Sequence, residues 1–239
     1  MILCIDSGNT RVKLGLGDEH GWQFQTALAK YRVAQDLPAA LAAWPRPTRA
    51  MGCNVAGAAA AAAIEHSLAQ LAIPLVWLRS SAELGGVRNG YDRPEQLGAD
   101  RWAALIGANS LHVGACLVVS AGTATTIDAI DAGGTFQGGL ILPGLSLMRS
   151  ALANAAAQLP EAKGGYVELP RNTDDAIASG AIEATTGAIE RIFRRMAADS
   201  PAVCILTGGA AGELEPHLRM PLQRVDDLIL KGLMRVACD

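Results

Sequence analysis

The chain has 239 residues, half of them hydrophobic and 18% charged, a balance that belongs to packed globular proteins and excludes a disordered chain. Its formal net charge is −3 and aromatics make up only 4%, so neither a basic surface for nucleic acid or anionic membrane nor a stacking platform for single strands is expected. The opening MILCIDSGNT has no basic leader, and no apolar stretch reaches about 18 residues, so neither a signal peptide nor a transmembrane helix is expected.

Ile2–Ile5 reads as a strand entering a turn at Ser7-Gly8-Asn9, with Arg11–Gly17 and Trp22–Leu28 as the next strands of a meander. Leu37–Trp44 reads as a helix closed by Pro45 and Pro47. Ala50–Val55 is a further strand. Ala58–Leu71 is a helix by its alanine content and the spacing of Ile64, Leu68 and Leu71, and Leu75–Leu78 is a short strand. Residues 80–98, with several glycines and mixed charge, read as a functional loop. Asp100–His112 follows as a helix with Trp102, Leu105 and Ile106 on one face.

Cys116–Val119 is a strongly apolar strand, with Thr125–Ala129 and Gly134–Ile141 as its meander partners. Pro143-Gly144 breaks the chain before a helix over Leu145–Leu159, and residues 160–172 read as a second loop. Thr173–Met196 is a long helix, Val203–Leu206 a buried strand ending in Thr207-Gly208-Gly209-Ala210, and Asp226–Val236 a helical tail. Alternating strands and helices predict an α/β protein. Ile5-Asp6-Ser7-Gly8-Asn9-Thr10 is echoed 114 residues later by Val119-Ser120-Ala121-Gly122-Thr123-Ala124. The echo predicts two similar halves, residues 1–114 and 115–239, with a cleft between them as the natural ligand site.

Four segments could carry chemistry. In Asp6–Lys13 a glycine turn after a strand lets backbone N–H groups approach a phosphate, and Asp6 could hold magnesium, directly or through water. Asn9, Thr10 and Lys13 add donors, although an ordinary hairpin turn would favour the same residues. Ser120–Thr126 is a second glycine-and-hydroxyl turn, open to the same two readings. Asp100, at a helix start, is either a residue favoured by the helix dipole or a general base. Arg101 is either an anchor for an anionic substrate or the partner of Glu95 on the surface. Thr207–Ala210 would admit a flat ligand such as adenine, or serve as a plain strand-to-helix turn. The five cysteines form no CxxC pair, four of them lie in or beside apolar runs, and the four histidines are scattered. A disulfide framework or zinc site is therefore not expected, and a reducing cytoplasm is.

Taken in order, these segments resemble type III pantothenate kinases, of the acetate-and-sugar-kinase and actin-like ATPase superfamily. Asp6-Ser7-Gly8-Asn9-Thr10-Arg11-Val12-Lys13 is similar to the family's first phosphate motif. Tyr91 with Gly98-Ala99-Asp100-Arg101 is similar to its pantothenate segment, and Gly122-Thr123-Ala124-Thr125-Thr126 to its second phosphate motif. Gly138–Gly144 and the Asn172-Thr173 segment are similar to the two motifs that follow.

The resemblance implies two actin-like (ribonuclease H-like) halves, each a mixed five-stranded sheet flanked by helices. It implies ATP-dependent phosphorylation of pantothenate to 4′-phosphopantothenate, the first step toward coenzyme A, in a cytoplasmic homodimer. Asp100 would be the catalytic base, Asp6 would lie near Mg²⁺, and Thr123 would contact ATP. Tyr91, Gly98, Ala99, Asp100 and Arg101 would contact pantothenate, as would Thr173 from the other subunit. One position departs from the pattern: Ser120 stands where the family often has an aspartate that helps bind K⁺ or NH₄⁺. A serine lacks the charge such a site uses. An alternative reading of another class is a non-catalytic nucleotide-binding regulator of the same fold.

Overall fold

The computed structural model describes residues 1–155, 164–198 and 200–239. The expected meander is β1 (Ile2–Ser7), β2 (Arg11–Asp18) and β3 (Gly21–Ala29). β1 is buried beyond its first residue, as a central strand covered on both faces must be, while β3 carries exposed positions in alternation. α1 (Val33–Ala42) begins earlier than expected, because Val33, Leu37 and Leu41 form a buried stripe at helical spacing. β4 (Arg49–Asn54), α2 (Ala58–Gln70) and β5 (Leu75–Trp77) follow.

The segment expected as one loop contains a small hairpin, β6 (Glu83–Leu84) and β7 (Val87–Asn89). Gly85 and Gly86, at φ +58° and +77°, make its two-residue turn, where both residues need the left-handed region. Next come α3 (Ala99–Leu111), β8 (Ala115–Ala121), β9 (Ala124–Ile130), β10 (Thr135–Pro143) and α4 (Leu145–Ala155). The expected end of that helix at Leu159 and the start of the second loop lie outside the described residues. α5 (Thr173–Met196) has the expected bounds, and its start is capped by Asn172, whose side chain accepts from the Asp175 N–H. β11 (Ala202–Thr207) precedes α6 (Ala211–Leu214) and β12 (Leu222–Arg224), two elements too short to show a period in the sequence. α7 (Leu228–Cys238) ends the chain.

The chain forms two compact units. Unit 1 comprises Met1–Val113, Gly134–Phe136 and Asp227–Asp239; unit 2 comprises Gly114–Gly133 and Gln137–Asp226. In unit 1 the sheet order is β3-β2-β1-β4-β5, with β1 antiparallel to β2 and parallel to β4. Its core gathers Leu3, Ile5, Val12, Leu14, Leu37 and Ile64. In unit 2 the order β10-β9-β8-β11-β12 repeats that scheme, with β8 antiparallel to β9 and parallel to β11. The two strands of the sequence echo, β1 and β8, thus hold the same place in their sheets. The core of unit 2 includes Leu117, Val119, Ile127, Ile182, Ile189, Phe193 and Leu206. β7 pairs in parallel with Thr135 and Phe136, the first residues of β10, which count with unit 1.

Within unit 1, α7 packs along α3 at two glycines. A Cβ at Gly107 would strike the Leu228 carbonyl, and one at Gly232 would strike the Ala103 carbonyl. Backbone cannot retreat as a side chain can, so Gly232→Val is expected to destabilise the protein by about 3 kcal/mol or more. A thermal melt of the variant within a degree or two of the parent's would contradict this account of the helix contact.

Candidate active site

β1 ends at Asp6-Ser7, and the sheet register sets Lys13 of β2 on one side of Asp6 and Cys53 of β4 on the other. Asp6 is only 6% exposed. Burial pushes its carboxyl up to about 6; Lys13 pulls it down, the negative charge of Asp100 pushes it further up, and the Cys53 thiol bond pulls it down. Cys53 Sγ donates to Asp6 Oδ1 at 3.7 Å. Burial and the same two carboxylates hold that thiol well above its ordinary value, so it stays a neutral donor.

The turn that follows is closed by Gly8 N–H donating to the Arg11 carbonyl at 3.1 Å. Asn9, Thr10 and Arg11 are exposed at its tip, whereas Val12 is wholly buried in the core. The buried Ser7 hydroxyl has no hydrogen-bond partner among the described residues.

Asp100 sits in the first turn of α3, one residue inside the Gly98–Ala99 start. Its Oδ1 accepts from the Arg101 N–H at 2.8 Å, which fixes the carboxylate at the helix end. A Cβ at Gly98 would come within 2.7 Å of that same oxygen, so a side chain there would displace it.

Arg101 is 6% exposed and turned inward. Its Nη1 donates to the Tyr91 hydroxyl at 2.8 Å. Its guanidinium carbon lies 5.6 Å from the Tyr91 ring centre and 5.7 Å from that of Phe136. Glu95 pairs instead with Arg93, at 2.9 Å, which resolves the two readings of Arg101 against the surface pair. Tyr91 is held by Asn89: the Asn89 Oδ1 accepts from Tyr91 N–H at 3.1 Å, and its Nδ2 donates to the Ser81 and Pro94 carbonyls at 3.2 and 3.1 Å. One side chain thereby ties the loop together at three points.

Ser120, Thr123 and Thr173 belong to unit 2. Ser120 lies in register with Thr126 on one side and Thr207 on the other, a row of hydroxyls where unit 1 has Lys13, Asp6 and Cys53. The Thr125 and Thr126 hydroxyls are buried without a hydrogen-bond partner among the described residues. Asp128 is 1% exposed two positions further along β9. Thr123 is exposed at a turn closed by Gly122 N–H to the Ala124 carbonyl, and its own carbonyl accepts from Gly144 N–H, both at 3.0 Å. Thr173 is the exposed first residue of α5.

Within unit 1 the structure thus brings together Asp6, Lys13 and Asp100, and separately Tyr91 and Arg101. Cys53, Asn89 and Phe136 join them unannounced by any motif: Cys53 and Phe136 arrive through strand pairing, and Asn89 through its hydrogen bond to the Tyr91 N–H two residues along the chain. Among the described residues no cluster of three or more His, Cys, Asp or Glu could hold a metal ion by itself. Asp6 fits a magnesium ion held mostly by phosphate and water, which needs only one or two carboxylates. The hydroxyl row at Ser120 offers a monovalent cation no charge.

Residues 2–195 match the family described as type III pantothenate kinase. A type III pantothenate kinase of Aromatoleum aromaticum is 55% identical over 237 residues, covering 99% of this chain and 98% of its own. Among solved structures, a Baf family protein of Campylobacter jejuni superposes with a TM-score of 0.65 at 19% identity, over 99% of this chain and 97% of its own. A Sinorhizobium meliloti protein assigned as a 2-dehydro-3-deoxygalactonokinase gives 0.59 at 15%, over 99% and 98%. At such identities these two structures speak for the fold alone.

Proposed function

The chain belongs to the type III pantothenate kinase family, and on that premise we propose how its own residues carry the ATP-dependent phosphorylation of pantothenate to 4′-phosphopantothenate, the first step of coenzyme A biosynthesis. The observation that supports the assignment of roles best is the coupling of two carboxylates, Asp6 and Asp100, beside Lys13 within one unit. Two acids in such different settings suit different tasks. Asp100 takes the proton of the primary hydroxyl as that oxygen bonds to the γ-phosphorus, while the bond to the β,γ-bridging oxygen breaks and ADP leaves. Asp6, with Ser7–Lys13 around it, holds the phosphate end of ATP, and Thr123 adds a contact to the nucleotide. Lys13 offsets charge there. Tyr91, Gly98, Ala99 and Arg101 hold pantothenate, with the guanidinium serving its carboxylate.

Magnesium would be held at Asp6 and, when bound, neutralise charge on the transferring phosphoryl group. The hydroxyl row at Ser120 does not fit a carboxylate-held monovalent cation. We therefore expect pantothenate-dependent ADP release in ATP and magnesium at equal rates in sodium and in potassium buffer. Release without dependence on pantothenate would refute the kinase roles; a several-fold gain in potassium would refute the reading of Ser120. The family match supports the kinase, and nothing in it supports a non-catalytic regulator.

The working form is a homodimer in a reducing cytoplasm. Every large apolar side chain that unit 2 exposes among the described residues falls between Leu140 and Leu169, with Ile141 at 65% and Leu169 at 83% exposure. A second copy would cover this stretch and supply Thr173 to its neighbour's site. Ile141→Asp is expected to shift the mass measured by sedimentation from two chains to one. A parent protein that sediments as one chain at assay concentration would end the dimer reading. The five free cysteines fit a reducing compartment, and no helix of the described residues is long and apolar enough to cross a membrane.

A further inference from the structure

We propose that Asn89 is a positioning residue for pantothenate recognition, acting through Tyr91. This rests on the pantothenate role given to Tyr91 above. Asn89 is the last residue of β7, and its main chain is held on both sides: its N–H donates to the Ala82 carbonyl at 2.8 Å, and it pairs in the sheet with Phe136. From this fixed point its half-buried side chain crosses the loop. Oδ1 accepts from the Tyr91 N–H two residues on, and Nδ2 donates to the Ser81 carbonyl eight residues back and the Pro94 carbonyl five residues on.

These bonds need an acceptor and two donor hydrogens on a stem of one methylene, a combination that only the asparagine side chain offers. The bond from Oδ1 to the N–H two residues on is the turn that asparagine favours, and it sets where the Tyr91 main chain goes and so where its ring starts. The ring then meets that of Phe136, centre to centre at 5.3 Å, and its hydroxyl accepts from Arg101 Nη1 at 2.8 Å. A hydroxyl that accepts in this way turns its own proton toward another acceptor, and the oxygens of pantothenate are acceptors. A Tyr91 main chain left loose would have to be ordered at each binding event, a cost taken from affinity. Asp100 is held by the Arg101 N–H on α3 instead, so the chemical step is not expected to follow.

The experiment measures steady-state ADP release by the full-length protein for Asn89→Ala, Asn89→Ser, Tyr91→Ala and the Asn89→Ala/Tyr91→Ala double variant. Asn89→Ala is expected to raise KM for pantothenate about tenfold, while kcat and KM for ATP stay within about twofold, a split that a loosened fold would not produce. In the Tyr91→Ala background the same change is expected to add nothing, because the group it positions is gone. Asn89→Ser, whose hydroxyl accepts from the N–H two residues on in the same kind of turn but more weakly, is expected to fall between alanine and the parent. It takes the place of the alanine variant, alone and in the double, if that one does not fold. An unchanged pantothenate KM in the single variant would overturn the proposal, as would independent, multiplying effects in the double one or a kcat that falls along with affinity. A parent protein that releases no ADP in response to pantothenate would overturn the substrate assignment and this proposal with it; an active parent with indifferent Asn89 variants would count against Asn89 alone.

Discussion

Asp100→Asn is expected to lower kcat by about 10²–10⁴-fold while the protein folds and melts as before. Asparagine matches aspartate in shape, and its side-chain oxygen can still accept from the Arg101 N–H that now binds Oδ1 at 2.8 Å. What disappears is the acceptor for the substrate proton. The competing account makes Asp100 only a negative residue at the start of α3, favoured by the helix dipole. That account predicts a loss of roughly 0.3–1 kcal/mol of stability and no loss of rate. Steady-state ADP release and a thermal melt on one preparation separate the two. A near-normal kcat would remove Asp100 from the base role.

Asp6→Asn is expected to abolish turnover and, at neutral pH, to make the protein more stable. The Asp6 carboxyl is raised from 3.8 to about 6, first by burial. A folded state that holds its proton more tightly than the unfolded chain loses stability as pH rises between those two values, and the whole penalty stands above the upper one. A shift of about two units corresponds to roughly 3 kcal/mol at pH 7. Asparagine carries no such penalty. The variant should therefore melt with the parent near pH 4, diverge upward through pH 6, and hold a lead of several degrees above it. In the parent, kcat/KM should fall on the acid side of about pH 6 as Asp6 takes up its proton. A variant whose lead is the same at pH 4 and pH 8 would show that the ionised carboxylate is not the source of strain. Function here is held at the expense of stability, and the opposing pull of Lys13 only partly relieves it.

The parts of the site that could be read from the chain are those built by neighbours in sequence. The turn after β1 needs a small flexible residue at Gly8 and a polar tip, and these stand side by side. The Tyr91 and Asp100-Arg101 segment likewise spans little more than a loop and the first turn of a helix. Arg101 remained ambiguous because a surface pair with Glu95, six residues back, and an inward-facing anchor for an anionic substrate are equally open to an arginine in the first turn of a helix. Burial decided between them: a half-exposed ion pair gains little, so Glu95 stays with Arg93 at the surface, and the guanidinium goes inward to two rings. The Gly85-Gly86 hairpin was available to the same reading as a two-glycine turn. Its strands are two and three residues long, too short to alternate visibly.

The sequence by itself determined the α/β class and the doubling of a strand-turn motif, and it singled out the glycine turns and the acid-bearing segment proposed for the site, because each rests on local pattern: strand and helix periods, glycine turns and their spacing. Only the tertiary structure decided what stands beside those segments. Cys53 reaches Asp6 through a parallel ladder 47 positions away, Phe136 reaches Arg101 through a two-residue pairing with β7, and α7 returns from the end of the chain to α3 across Gly107 and Gly232. Contacts of that kind leave no trace in local pattern, because the residues that make them, a cysteine, a phenylalanine and two glycines, look like ordinary core until strand register and helix packing say what each one faces.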